Sequence, residues 1–369
     1  MLGMGISSKA ILVTIFLFGQ LGSASECDNF SGRSIKKVYG NEKINFHVNE
    51  ILKSIVREAN QSVQSKDDSR QELNTCDRGV LLHYFENKLG GNFPDIYGRF
   101  IWDSPPIAGP REFKDFPFKD KYLNSFAPTF VPSYWIHSSD EDFMIGMDKI
   151  DHFFSHGYHY WRFAQRTGKP LKAALTDVLK FGEDQENSIW GLRGFGIKSY
   201  GDLSANYLGM TFWMNLLDGD QPHVICQAGQ FELAREFRVT DYFNAAVDEG
   251  INCSSFSSKE IKDQMTAVEA KVWHQCGLPE DHCSRLVGKF PFEVAQKILH
   301  PICLGQASSR IEEPPPLSVQ DFLNAAIALT SGGENLIAFF FDTEKIKSKF
   351  EQTKVEIVET LDRIKNFKR

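Results

Sequence analysis

The spacing of apolar residues along the chain predicts a mainly helical protein. Apolar residues recur every three or four positions in many segments, which is the period of one face of an α-helix. Ser138 and Glu141 have capping-box spacing, so one helix is predicted to begin there and to end near Gly168. Helices are predicted over residues 44–60, 80–89, 138–168, 171–188, 202–217, 240–249, 259–273, 280–287, 293–299, 319–330 and 343–367.

Residues 99–139 interrupt this periodicity. They contain six prolines among many aromatic residues, and proline removes a backbone donor and breaks helices. We expect an ordered loop, with short strands or none, that covers the core rather than acting as a ligand lid. The predicted fold class is therefore mainly α: a multi-helix globular bundle with a long ordered loop rich in proline and aromatic residues.

The chain divides into regions by composition. Residues 1–25 have a single charge, Lys9, then an apolar run and small residues. This is typical of a secretory signal, and we expect an exported, periplasmic or secreted protein cleaved near residues 24–25. The predicted regions are the signal peptide (1–25), an N-terminal helical region (26–98), the loop (99–139), a central three-helix unit (140–220), a cysteine-containing helical region (221–312) and C-terminal helices after a proline linker (313–369).

Charge and cysteine content limit the partners and the compartment. The formal net charge is −7 and no basic stripe stands out, so nucleic acid is not an expected partner. The seven cysteines favour disulfides if the chain is exported, and the odd number leaves at least one cysteine free or bonded to another molecule. The sequence does not fix the connectivity; Cys276 with Cys283 is a plausible local pair, and Cys27 with Cys76 would hold the N-terminus. Disulfides are expected in preference to zinc bound by Cys276, His282 and Cys283.

Ionisable residues gather on one face of the helix through residue 148. At about 100° per residue, polar side chains fall within an arc of roughly 100°, and aromatic ones lie largely opposite. The polar side chains are those of Asp148, His152, Ser155, His156 and His159. Such a face either meets water or belongs to an internal site.

The next two helices carry polar residues among apolar ones. Glu186 continues the apolar stripe of its helix, and Glu183 lies one turn earlier and can take the same role. Asp202 has capping-box spacing from Ser199, so a role in capping the helix is enough to explain an aspartate at this position. Asn206 lies among large apolar residues and needs hydrogen-bond partners if it is buried. We therefore expect the three helices to present these side chains to one another.

The order of these residues resembles a known group of families. D-K-x-x-H at Asp148, a later glutamate, a glycine-rich turn, and S-x-x-D-L-x-A-N-x-x-G from Ser199 to Gly209 resemble the VanZ-like and YfiM-like small helical envelope proteins. The resemblance spans residues 148–209. It implies a compact helical unit with a shared polar cluster, and it does not imply a reaction.

Two functions fit this cluster. In the first, an exported envelope protein uses it to fix helix packing or to bind a small ligand, with Asp148, His156, Asn206 and Glu183 as ligand-binding residues. In the second, a hydrolase acts on an envelope component, with His152, Glu186 and Asp202 as catalytic residues. Asp148 and His152 are also candidate ligands of a divalent metal such as zinc, manganese or iron. The chain has no H-E-x-x-H, G-x-S-x-G or P-loop motif.

Overall fold

Helices dominate the part of the chain that the structure describes. The computed structural model describes residues 37, 39–64, 76–90, 133–188, 191–193, 196–263, 283–306 and 310–313. Helices make up 59% of this part and strands 12%, so the predicted mainly-α class is confirmed. The predicted signal peptide, most of the loop over 99–139, the proline linker and the C-terminal helices lie outside the described residues.

Eight α-helices are named here in chain order. They are α1 (Asn41–Gln64), α2 (Arg78–Phe85), α3 (Met147–Asp151), α4 (Gly157–Arg166), α5 (Leu171–Glu186), α6 (Tyr200–Asn215), α7 (Val239–Tyr242) and α8 (Phe292–Ile298). Short 3₁₀ segments span Ala245–Val247, Ser284–Lys289 and Pro301–Leu304. The helices predicted over 44–60, 171–188, 202–217 and 293–299 correspond to α1, α5, α6 and α8.

The described part of the chain contains two π-helical turns next to α-helices. One, Glu86–Gly90, continues α2. The other, His152–His156, joins α3 to α4, so that the chain is helical without a break from Met147 to Arg166. A π-turn is uncommon and is often found at functional sites.

The strands form three short antiparallel pairs. β1 (Ser133–Ile136) pairs with β2 (Phe143–Gly146), with Ser133 opposite Gly146. β3 (Ile197–Ser199) pairs with β6 (Ser254–Phe256), and β4 (Val224–Gln227) pairs with β5 (Gln230–Leu233). The β3–β6 pair holds the start of α6 against a segment more than 50 residues later in the chain.

Helix α6 is the central helix of the fold. Twelve of its sixteen residues are buried, and a helix that is buried all round lies in the core rather than at the surface. Gly209 makes the closest crossing, because a Cβ placed there would lie 1.8 Å from the carbonyl oxygen of Phe153. At the same crossing, a Cβ placed on Gly157 would lie 2.6 Å from the backbone of Gly209. The π-turn and α4 therefore approach α6 at backbone contact distance.

The predicted helix start at Ser138 is wrong. The Ser138 hydroxyl does accept from the Glu141 N–H at 3.2 Å, as a capping box requires. Phe143–Gly146 nevertheless forms β2, whose four residues are all buried against β1, and the helix begins only at Met147. Pairing of two buried apolar strands outweighs the local capping signal here.

The predicted helix over 240–249 is also wrong in extent. Only α7 and the 3₁₀ turn Ala245–Val247 are helical there. The carboxylate of Asp248 instead accepts from the backbone N–H of Met144 at 2.7 Å and from that of Gly250 at 2.9 Å. These bonds replace helical ones and turn the chain so that Glu249 is buried.

Two disulfides have both cysteines in the part of the chain that the structure describes. Cys76 is bonded to Cys226, and Cys283 is bonded to Cys303. The candidate pairs with Cys27 and Cys276 are therefore wrong, and Cys283 is not available as a zinc ligand. Disulfides persist in oxidising compartments and fit an exported environment. Within the described part of the chain, no helix has the length and apolar character needed to cross a membrane.

Candidate functional site

The side chains of α3, the π-turn, α5 and α6 meet in a buried cluster of charged groups. We call it the acidic cluster. Its members are Asp148, Lys149, Asp151, His152, Glu186, Asp202 and Glu249, all of which are buried. Five of the seven are carboxylates, and a buried carboxylate is costly unless it is paired or neutralised.

Lys149 is the cation at the centre of the acidic cluster. Its Nζ lies 2.5 Å from Asp202 Oδ1, 2.7 Å from Asp148 Oδ2 and 2.8 Å from Glu249 Oε1. The side chain of Lys149 is fully buried. These contacts tie α3 to α6 and to the turn after Asp248, which is why removing Lys149 would leave several buried charges uncompensated.

His152 is held in one tautomer by α6. Its Nδ1–H donates to Asn206 Oδ1 at 2.9 Å, and Asn206 Nδ2 in turn lies 3.4 Å from the Tyr160 hydroxyl. In the neutral imidazole the lone pair of His152 is therefore on Nε2, which lies 3.4 Å from Asp202 Oδ2. An imidazole fixed through Nδ1 in this way is the usual arrangement of a metal-binding histidine.

The predicted capping box between Ser199 and Asp202 forms only in part, because Glu186 takes the place of the Asp202 carboxylate. The Ser199 hydroxyl accepts from the Asp202 N–H at 3.1 Å, as predicted. The Ser199 N–H donates to Glu186 Oε2 at 3.1 Å, in the place that the carboxylate of Asp202 would take in a full capping box. The Ser199 hydroxyl also donates to Glu249 Oε1 at 2.6 Å. The carboxylate of Asp202 is thus left to contact Lys149 and His152.

Three ligand atoms converge at one end of the acidic cluster. His152, Glu186 and Asp202 each offer an atom, and these atoms all lie within 4.8 Å of one another. One imidazole and two carboxylates suit zinc or manganese. The side chains of His152 and Asp202 are 11% and 7% exposed, so this point lies just beneath the surface.

The carboxylates of the acidic cluster differ in protonation. Burial and the charge of Asp202 raise the pKa of Glu186 well above its ordinary value. Burial also raises the pKa of Asp202, but the positive charges of His152 and Lys149 outweigh it and the net shift is downward. Burial, opposed by Lys149, raises the pKa of Glu249 to about 7. Neighbouring acids with opposite shifts are typical of functional sites.

The other predicted site residues lie around the acidic cluster or outside it. The ring of His156 stacks on that of His152, with centroids 4.5 Å apart, and burial lowers the pKa of His156 well below its usual range. Glu183 is 31% exposed and pairs with Lys297 at 3.0 Å and with Lys198 at 3.6 Å. Glu186, and not Glu183, is therefore the glutamate of α5 that reaches His152.

Three members of the acidic cluster were missed from the sequence. Lys149 and Asp151 are next to predicted residues in the sequence. The i, i+3 spacing of Asp148 and Asp151 indicates that both side chains lie on one helix face, and it could have identified Asp151. Glu249 has no local signal, because it is 100 residues from Lys149 and its position depends on a turn that replaces a predicted helix.

Comparison of the chain with protein-family models, with curated proteins and with solved structures finds no match. The resemblance of residues 148–209 to the VanZ-like and YfiM-like families therefore stays a prediction.

Proposed function

We propose that this is an exported protein whose acidic cluster binds a divalent cation, with His152, Glu186 and Asp202 as the ligands. The convergence of their three ligand atoms within 4.8 Å carries the proposal. Bonding of the Nδ1–H of His152 to Asn206 supports it, because this bond leaves Nε2 available to a metal. The predicted signal sequence and the disulfides support export.

The charge of the acidic cluster gives a physical reason for a cation. Three of the five buried carboxylates contact Lys149, which is the one lysine or arginine that forms an ion pair with any of the five among the described residues. A dication between His152, Glu186 and Asp202 would offset the repulsion that raises the pKa of Glu186. The cation would also hold α5 to α6 and to the π-turn. Binding of the cation would therefore also stabilise the packing of these helices.

We expect the purified full-length protein to bind Zn²⁺ or Mn²⁺ and to be stabilised by it. His152→Ala should weaken binding at least about 100-fold, since even the loss of an outer partner costs roughly 10–100-fold. Binding is measured by titration calorimetry and by elemental analysis after gel filtration. His137→Ala is the matched control, because the His137 side chain is 76% exposed and lies in the turn between β1 and β2. Equal metal content in His152→Ala and the wild-type protein would contradict the proposal.

Metal-dependent hydrolysis is the second candidate function. Three protein ligands leave coordination positions open for water and substrate, as in catalytic zinc sites. The near-complete burial of the ligand side chains ranks this function below binding alone. Hydrolysis of model ester and phosphate substrates by the metal-loaded protein, absent in Asp202→Asn, would reverse that order.

A further inference from the structure

Asp151 is a buried carboxylate without a hydrogen-bond partner. It lies one helical turn after Asp148 on α3 and is 3% exposed. Neither of its oxygens accepts a hydrogen bond from the described residues, and Asp148 Oδ1 likewise has none there. Buried carboxylate oxygens almost always have a partner, and an ion is one of the few explanations for those that lack one.

The surroundings of Asp151 make this arrangement unfavourable for the protein alone. The charged groups that act on it most strongly are Asp148 and Asp202, which are also carboxylates. Asp148 and Asp151 are i, i+3 neighbours and so share one face of α3. Their oxygens therefore add negative charge to the same part of the acidic cluster.

One dication does not neutralise the acidic cluster. With all five carboxylates ionised, as bound cations require of their ligands, Lys149 offsets one negative charge, and a dication at His152, Glu186 and Asp202 offsets two more. Two negative charges are left, and Asp151 is the carboxylate that neither an ion pair nor a hydrogen bond accounts for among the described residues. A second dication would complete the balance.

We infer that Asp148 and Asp151 hold a second divalent cation beside the first, so that the acidic cluster is a two-cation centre. The inference rests on the proposed function, because it adds a neighbour to the cation bound by His152, Glu186 and Asp202. The second site offers carboxylate oxygens only and is completed by water, which suits Mg²⁺, Ca²⁺ or Mn²⁺. The first site includes an imidazole, so Mn²⁺ is the ion that suits both.

Mn²⁺ alone therefore serves as the probe. The full-length protein is stripped with a chelator, equilibrated with Mn²⁺ and passed through gel filtration, and bound manganese is counted by elemental analysis. We expect two Mn²⁺ per chain and an electron paramagnetic resonance spectrum of two coupled ions, as in centres whose metals lie about 3.5–4 Å apart. Asp151→Asn should bind one Mn²⁺ with the spectrum of an isolated ion. Asp177→Asn is the matched control, because Asp177 is an exposed aspartate on α5, and it should still bind two.

The outcomes separate this inference from the proposed function. One Mn²⁺ in both the wild-type protein and Asp151→Asn would overturn the second site and leave the first. Two Mn²⁺ in both would also overturn it, since Asp151 would then not be a ligand. No Mn²⁺ in the wild-type protein would overturn both proposals. Asparagine keeps the shape of the aspartate side chain, so Asp151→Asn is expected to fold. If Asp151→Asn does not fold, Asp148→Asn takes its place in the experiment, and it should also bind one Mn²⁺.

Discussion

At the scale of single residues, His300 shows how burial fixes a histidine in its neutral form. The side chain is fully buried; Nδ1 accepts from the Ile302 N–H at 3.1 Å, so Nε2 carries the proton and donates to the Ser255 hydroxyl at 3.2 Å. Burial, with the positive charges of Arg310 and Lys198, lowers the pKa of His300 to about 3. Since Nε2 is a donor, His300 does not act as a base toward Ser255.

The stability of the protein should therefore depend on pH through His300. Below about pH 6.5 the unfolded chain binds a proton at this residue and the folded protein does not, so the free energy of unfolding falls as the pH is lowered. The expected loss is about 1.4 kcal/mol per pH unit, or about 2 kcal/mol between pH 6.5 and pH 5. Urea unfolding at several pH values, compared between the wild-type protein and His300→Gln, measures it. Between pH 6.5 and pH 5, the free energy of unfolding of His300→Gln should fall by about 2 kcal/mol less than that of the wild-type protein. Equal pH dependence in the two proteins would contradict a neutral His300 in the folded state.

At the scale of elements, the crossing of the π-turn with α6 depends on glycine. A Cβ at residue 209 would overlap the Phe153 carbonyl oxygen, which belongs to rigid backbone and cannot rotate away as a side chain can. Glycine has no Cβ, so residue 209 lets the backbone of the π-turn come this close. The pattern of the sequence could indicate a close contact at Gly209, but it could not name Phe153 as the neighbour.

Gly209→Ala should destabilise the protein by about 3 kcal/mol, because the two backbones must move apart and lose packing. Gly288→Ala is the control, since a Cβ at Gly288 meets nothing within 4 Å. Its effect should be within about 0.5 kcal/mol of zero. The free energy of unfolding from urea titration tests both variants. Similar values for Gly209→Ala and the control would show that the crossing is looser than the structure indicates.

The sequence predicted helices better than strands for a physical reason. Helical periodicity is local, so α1, α5, α6 and α8 could be recognised from their own residues. β2 depends on its partner β1, and the turn that buries Glu249 depends on the contact of Asp248 with Met144. The same limit applies to the acidic cluster. His152, Glu186 and Asp202 carried local signals, whereas Glu249 joins them only through the tertiary structure.

At the scale of the whole molecule, the disulfides Cys76–Cys226 and Cys283–Cys303 differ in the length of chain that they close. Cys76 and Cys226 are 150 residues apart, and that loop includes all of the acidic cluster except Glu249. Cys283 and Cys303 are only 20 residues apart and join two 3₁₀ segments. A cross-link that closes a longer loop removes more entropy from the unfolded chain.

Replacing Cys76 and Cys226 together by alanine should therefore cost more stability than replacing Cys283 and Cys303. The loop lengths give about 5 kcal/mol for the first pair and about 3 kcal/mol for the second. Urea unfolding of both double variants under oxidising conditions gives the comparison. A cost for the short loop that equals or exceeds that of the long one would mean that the bonds act mainly through the folded state.

The π-turn His152–His156 also bears on how this helix tolerates insertions and deletions. A π-turn contains one residue more than an α-turn needs, so loss of a single residue there would restore a regular α-helix from Met147 to Arg166. If the same residues instead formed a regular α-helix with no π-turn, the extra residue would rotate α3 by about 100° relative to α4. Asp148, Lys149 and Asp151 would then turn away from α6, while the aromatic packing of α4 stayed in place. By absorbing the extra residue, the π-turn thus keeps the rotational phase between the charged half of this helix and its aromatic half.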